Sequence, residues 1–149
     1  MTHFLEDLRI GQRFVSATAT VTADQIVEFA AQYDPQPFHL TEEDGKRSLF
    51  GGLVASGWHT AAIAMRLFVD GELKLAGGMI GGGGELQWTH PVRPGDSLTL
   101  HSEILELAPS RSRPERGSAL VRSETRNQDG VVVQIFTARM VVLRRPSAT

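Results

Sequence analysis

The sequence predicts an α+β protein in which a curved antiparallel sheet wraps around a long central helix. Three observations carry that prediction. Across residues 61–69 the only charged residue is Arg66, so a helix there is apolar nearly all round and belongs in an enclosed position. Residues 97–107 alternate, with Leu98, Leu100 and Ile104 on one side and polar residues largely opposite, the period of a half-buried strand. Finally, Asn127-Gln-Asp-Gly130 separates two strand-forming runs, 118–126 and 131–143, and predicts a hairpin. Helices segregated to one face of an antiparallel sheet make an α+β arrangement.

The remaining elements follow in order. Residues 12–21 carry the strand formers Phe14, Val15, Thr18, Thr20 and Val21. Thr22 followed three residues later by Gln25 has the form of a capping box. The helix after it presents Ile26, Phe29, Ala30 and Tyr33 on one face and stops at Asp34-Pro35. Two prolines make 33–40 a loop. A second short helix starts at Thr41, where Glu42, Glu43 and Asp44 suit a positive helix end, and stops near Gly45. Residues 50–60 feed the long helix, which the alanines at 61, 62 and 64 keep slim, and Gly71 ends it in a left-handed cap. A strand over 85–89 leads to a turn at Pro91-Val-Arg-Pro-Gly-Asp96. Gly81–Gly84 lacks the Lys-Ser/Thr of a phosphate loop and gives slack for a tight chain crossing. Residues 109–117 form a polar loop, and the chain after Arg145 is a loose tail.

Composition narrows the class. A chain of 149 residues has the size of one domain, expected to span 1–149, and 41% hydrophobic with 21% charged residues is the balance of a soluble globular protein. The absence of cysteine excludes disulfides, thiol nucleophiles and cysteine-based metal sites. A net charge of −2 offers no footprint for nucleic acid. The acidic start Met-Thr-His-Phe-Leu-Glu-Asp lacks the basic and apolar regions of a signal peptide, and no run has the apolar length to span a bilayer. The expected location is cytoplasmic, with neither nucleic acid nor membrane as partner.

Two clusters carry chemistry. In Tyr33-Asp-Pro-Gln-Pro-Phe-His-Leu40, Asp34 and His39 stand five positions apart on a backbone stiffened by Pro35 and Pro37. A carboxylate beside an imidazole is able to share a proton and polarise a water. The same residues also read as a helix cap and a satisfied loop histidine. Ser56-Gly57-Trp58 opens the apolar helix, where free N–H groups and the helix dipole meet and where Gly57 lets a ligand carbonyl approach. That is the form of an oxyanion hole. Gly51, Gly52 and Gly57 equally suit tight packing at the helix entrance.

Together these segments resemble the MaoC-like dehydratases and (R)-specific enoyl-CoA hydratases, a hotdog-fold family. The resemblance rests on Asp34-Pro-Gln-Pro-Phe-His39, on Val54-Ala-Ser-Gly-Trp58, and on Trp88-Thr-His-Pro-Val-Arg-Pro-Gly-Asp96, three segments in the family's order. It implies Asp34, His39 and Gly57 as catalytic groups and Gln36, Ser56 and Trp58 as substrate-binding residues. It further implies reversible hydration of trans-2-enoyl-CoA to (R)-3-hydroxyacyl-CoA, an acyl-CoA thioester as partner, no cofactor or metal, and a homodimer or dimer-based oligomer. Two positions depart from the family pattern: Gln36 replaces its usual Asn, and Ser56 its usual His. A hotdog thioesterase relies on a carboxylate in the central helix, which offers none before Asp70. A non-catalytic acyl-CoA-binding relative is kept open by the two departures.

Other polar residues read as structural. His59 is expected to pack or cap, and His90 and His101 show no metal-ligand spacing. Arg66 either pairs with a buried acid or reaches a ligand. Arg111, Arg113 and Arg116 suit a solvated loop better than a CoA phosphate site.

Overall fold

The computed structural model describes residues 1–148. Strand β1 (Arg13–Thr20) leads into helix α1 (Ala23–Tyr33), the short helices α2 (Pro37–Leu40) and α3 (Glu42–Lys46), and the long α4 (Gly57–Asp70). Strands β2 (Ile80–Trp88), β3 (Ser97–Pro109), β4 (Arg116–Arg126) and β5 (Val132–Leu143) follow. All five strands join one antiparallel sheet in the order β1-β3-β4-β5-β2, with α4 at its centre. The predicted α+β sheet-around-helix architecture is the one observed.

Local sequence explains most boundaries. The Thr22 hydroxyl accepts from the Gln25 amide at 3.2 Å, and the Gln25 side chain accepts from the Thr22 amide at 3.0 Å, completing the capping box. In the β4–β5 turn, Asn127 Oδ1 accepts from the Asp129 and Val131 amides while Gly130 takes φ 76°. Leu98, Leu100 and Ile104 of β3 turn inward together with Val121 of β4 and Val142 of β5, and form the core under α4.

Five expectations fail for physical reasons. Residues 33–40 are not all loop, because Pro37 occupies the first position of α2, where a missing N–H costs nothing. Tyr33 does not join the buried face of α1: it is 72% exposed and rests against Phe29 at 5.2 Å. Gly71 takes φ −75°, so α4 ends without a left-handed cap, and Lys74 Nζ instead donates to the Val69 carbonyl at 2.6 Å. The glycine quartet is not a slack crossing but part of β2. A Cβ on Gly84 would lie 2.8 Å from the Phe136 ring, so the strand pairs with β5 only because that position is bare. Nor is α4 enclosed on all sides, since Met65, Arg66 and Val69 are exposed and Arg66 pairs with Asp70 at 2.6 Å on the surface.

The tail after Arg145 enters no element through residue 148, and Thr149 lies outside the described residues. Arg144 and Arg145 are tied by Glu6 and Asp7. Among the described residues no helix is long and apolar enough to cross a membrane.

Candidate active site

The loop before α4 runs between two neighbours. The Val54 amide donates to the Phe38 carbonyl at 3.1 Å and the Ala55 amide to the Val92 carbonyl at 2.8 Å. The first bond holds α2 against the segment that enters α4, and the second ties that segment to the chain after β2, far away in sequence. One turn of helix at α2 then aims His39 inward, and the ring is buried. Its Nδ1 lies 2.7 Å from the Val54 carbonyl. A carbonyl only accepts, so Nδ1 carries the hydrogen, and in the neutral ring Nε2 presents its lone pair. That lone pair faces Asp34 Oδ2 at 3.4 Å.

Asp34 sits at the C-terminal end of α1, where its amide still donates to the Ala30 carbonyl at 2.9 Å. Its Oδ2 accepts the Ser56 hydroxyl hydrogen at 2.7 Å. Ser56 is fully buried and also caps α4, its Oγ accepting from the Trp58 amide at 3.2 Å. One hydroxyl therefore fixes the carboxylate and the helix start together. The carboxylate is ordered by a donor on one side and faces His39 Nε2 on the other. A water placed between Oδ2 and Nε2 would donate one hydrogen to each.

Gly57 is the first residue of α4, and among the described residues its amide has no assigned acceptor. It needs to be glycine for a reason independent of any ligand: an added Cβ would lie 2.4 Å from Cε2 of Trp88. The Trp88 indole lies directly over the Gly57 Cα, and its Nε1 donates to Gln134 Oε1 at 3.1 Å.

Asp34, Gln36, His39, Gly57 and Trp58 all line one cavity of about 500 Å³. Its remaining walls are mostly apolar, with Phe38, Phe50, Val92 and Val133 among them. The structure thus brings five of the six sequence-predicted site residues to one space. Ser56 stands behind Asp34 rather than in the cavity wall.

The family model for the MaoC like domain matches residues 7–126. The chain belongs to the MaoC-like dehydratase family. It is similar to the MaoC-like dehydratase from Rhodospirillum rubrum, whose crystal structure superposes with a TM-score of 0.94 at 56% identity over 97% of this chain and 99% of that one. It is 34% identical over 143 residues to the uncharacterized protein YdeM of Bacillus subtilis, covering 93% of this chain and 96% of that protein. A 3-hydroxybutyryl-CoA dehydratase of Methylorubrum extorquens is 30% identical over 112 residues, covering 74% and 69% of the two chains. The hotdog architecture expected from the sequence is the fold of this MaoC-like protein.

Several groups around the MaoC-like site are not marked as site residues by the sequence alone. The Val54 carbonyl sets the imidazole tautomer, yet a backbone group leaves no mark on residue type. Trp88, Thr89 and His90 line the cavity from the end of β2. His59 stays out of this cavity. It stacks on Phe29 with ring centroids 4.8 Å apart and planes 8° from parallel, and burial pushes its pKa down. His101 lies on the outer sheet face opposite Glu124, its pKa lowered chiefly by burial and then by the Arg126 charge. Arg111 and Arg113 stand exposed in the β3–β4 loop, and Arg116 pairs with Glu115 at 3.0 Å.

Proposed function

We propose that this MaoC-like protein hydrates the double bond of trans-2-enoyl-CoA thioesters reversibly to (R)-3-hydroxyacyl-CoA. The single observation that carries the reading is the Asp34–His39 pair, one face of which opens to the same cavity as the Gly57 amide. The pair holds a water, takes one of its protons as the oxygen bonds to C3, and returns that proton to C2. The electron pair of the double bond passes to the thioester oxygen and back, and Gly57 N–H with the α4 dipole holds that oxygen while it is charged. No atom is left over: the hydroxyl ends on C3 and the hydrogen on C2. Ser56 keeps the carboxylate oriented, and Gln36 and Trp58 border the substrate. General acid–base chemistry of this kind contributes about 10²–10⁴-fold in rate.

The reading needs no redox step, only an acyl-CoA substrate in a cytoplasmic protein, with 1–149 as one domain. A 3-hydroxybutyryl-CoA dehydratase among its relatives supports that substrate class. Strand β2 adds a dimer to the proposal. It stands at a sheet edge and is exposed along nearly its whole length, a surface that a second copy of the chain would cover. Light scattering at micromolar concentration is expected to give twice the chain mass.

The test of activity is a panel of short, medium and branched trans-2-enoyl-CoAs. Loss of the enoyl absorbance without free thiol is the expected result. Release of free thiol would instead mean a thioesterase, and binding without turnover a non-catalytic acyl-CoA-binding protein.

A further inference from the structure

A second cavity, of about 550 Å³ and almost wholly apolar, lies between α4 and the β2–β5 side of the sheet. Among the described residues only Trp58 lines both this cavity and the one that holds Asp34 and His39. It meets Trp88 edge to face, with ring centroids 5.0 Å apart. The two partners of this aromatic contact are held very differently. Trp88 is fixed on two sides, by the bond to Gln134 and by the bare Cα of Gly57 beneath it. Trp58 is 60% exposed and, among the described residues, its indole nitrogen has no hydrogen-bond partner. One ring is a frame, and the other a leaf that no side-chain hydrogen bond holds in place among the described residues.

What lies behind the leaf is suited to hydrocarbon. Ala61, Met65 and Phe68 follow Trp58 along one face of α4, at three, seven and ten residues' distance, and all line the apolar cavity. The small side chain at 61 leaves room just past the indole. Leu86 and Phe136 form the facing wall.

We propose that Trp58 sets the acyl-chain length this protein accepts: closed against Trp88, it confines short acyl groups to the catalytic cavity, and its displacement admits longer chains to the apolar one. The proposal rests on the acyl-CoA reading above and names the substrate class within it. Burying two further methylenes is worth about tenfold in affinity, so removing the barrier has a readable effect.

Binding of the saturated analogues butyryl-CoA and decanoyl-CoA, measured by calorimetry, tests the gate independently of turnover. Wild type is expected to bind butyryl-CoA the more tightly. Trp58→Ala should move the ratio toward decanoyl-CoA by about tenfold or more. Trp58→Phe, which keeps a ring and serves if the alanine variant does not fold, should fall between. Adding Ala61→Phe to Trp58→Ala should cancel the gain by refilling the space. A wild type that prefers decanoyl-CoA, or an unmoved ratio in a folded Trp58 variant, overturns the proposal, as does failure of wild type to bind either analogue. A shifted ratio with no enoyl-CoA turnover upholds the gate while removing the hydratase reading.

Discussion

The central helix treats the two sides of its sheet unequally. Toward β1 and β3 its contacts are the closer ones, and buried Leu67 belongs to the same core cluster as Leu98 and Ile104. Toward β2 and β5 it stands off and leaves a cavity of about 550 Å³, and β2 itself is exposed. Apolar residues line both sides, so hydrophobicity alone does not distinguish them. The difference is one of degree: the β1–β3 side carries the core that holds the fold together, and the β2–β5 side borders the larger and more apolar cavity. The candidate catalytic groups stand at the helix end that borders both.

Substitutions that act on one side only would sharpen this contrast. The largest stability effect is expected on the packed side. Ile104→Ala removes a fully buried side chain and should cost about 2–5 kcal/mol in denaturant unfolding. Leu86→Ala, on the cavity wall of β2, should cost under about 1.5 kcal/mol and act chiefly on ligand affinity. Equal losses from the two would abolish the distinction.

At the border between the sides, Gly57→Ala drives a methyl into the Trp88 ring and should destabilise by about 1–3 kcal/mol, with loss of activity as the indole is pushed aside. Ser56→Ala removes the helix cap and the bond to Asp34, for about 0.5–2 kcal/mol and a lowered kcat. If Ser56→Ala left both unchanged, the hydroxyl would have no part in orienting the carboxylate.

The smallest effect concerns pH. Burial lowers the His59 pKa, so the unfolded chain binds the proton more readily than the folded one. Stability from this group is therefore complete above about pH 6.5, the ordinary imidazole value, and is lost as the pH falls through the lowered folded value. Melting temperatures of wild type and His59→Phe should diverge more in acid than at neutral pH, with wild type falling below the variant, because the phenyl ring keeps the stack on Phe29 but cannot titrate.

What the sequence made legible, and what it hid, divides by range. Thr22 and Gln25 declare a capping box because both bonds are made within three residues. Leu98, Leu100 and Ile104 declare a strand face by their period. Asp34, His39 and Gly57 attract notice as residue types in local settings. The bond from Ser56 to Asp34 joins residues twenty-two apart, and neither position says which partner it will find. The glycine quartet resembles slack because nothing local reveals that Gly84 must leave space for Phe136, fifty-two residues on. The exposed face of α4 stays hidden in the sequence for a related cause. An apolar helix implies a cover, yet its sequence does not say whether the same chain supplies it.

The central claim is that Asp34 and His39 act together on one water. Its most direct test is kcat for enoyl-CoA hydration by Asp34→Asn and His39→Gln, in preparations shown by circular dichroism and thermal melting to be folded. Each variant is predicted to lose about 10²–10⁴-fold. Near-wild-type turnover in either folded variant would contradict the account.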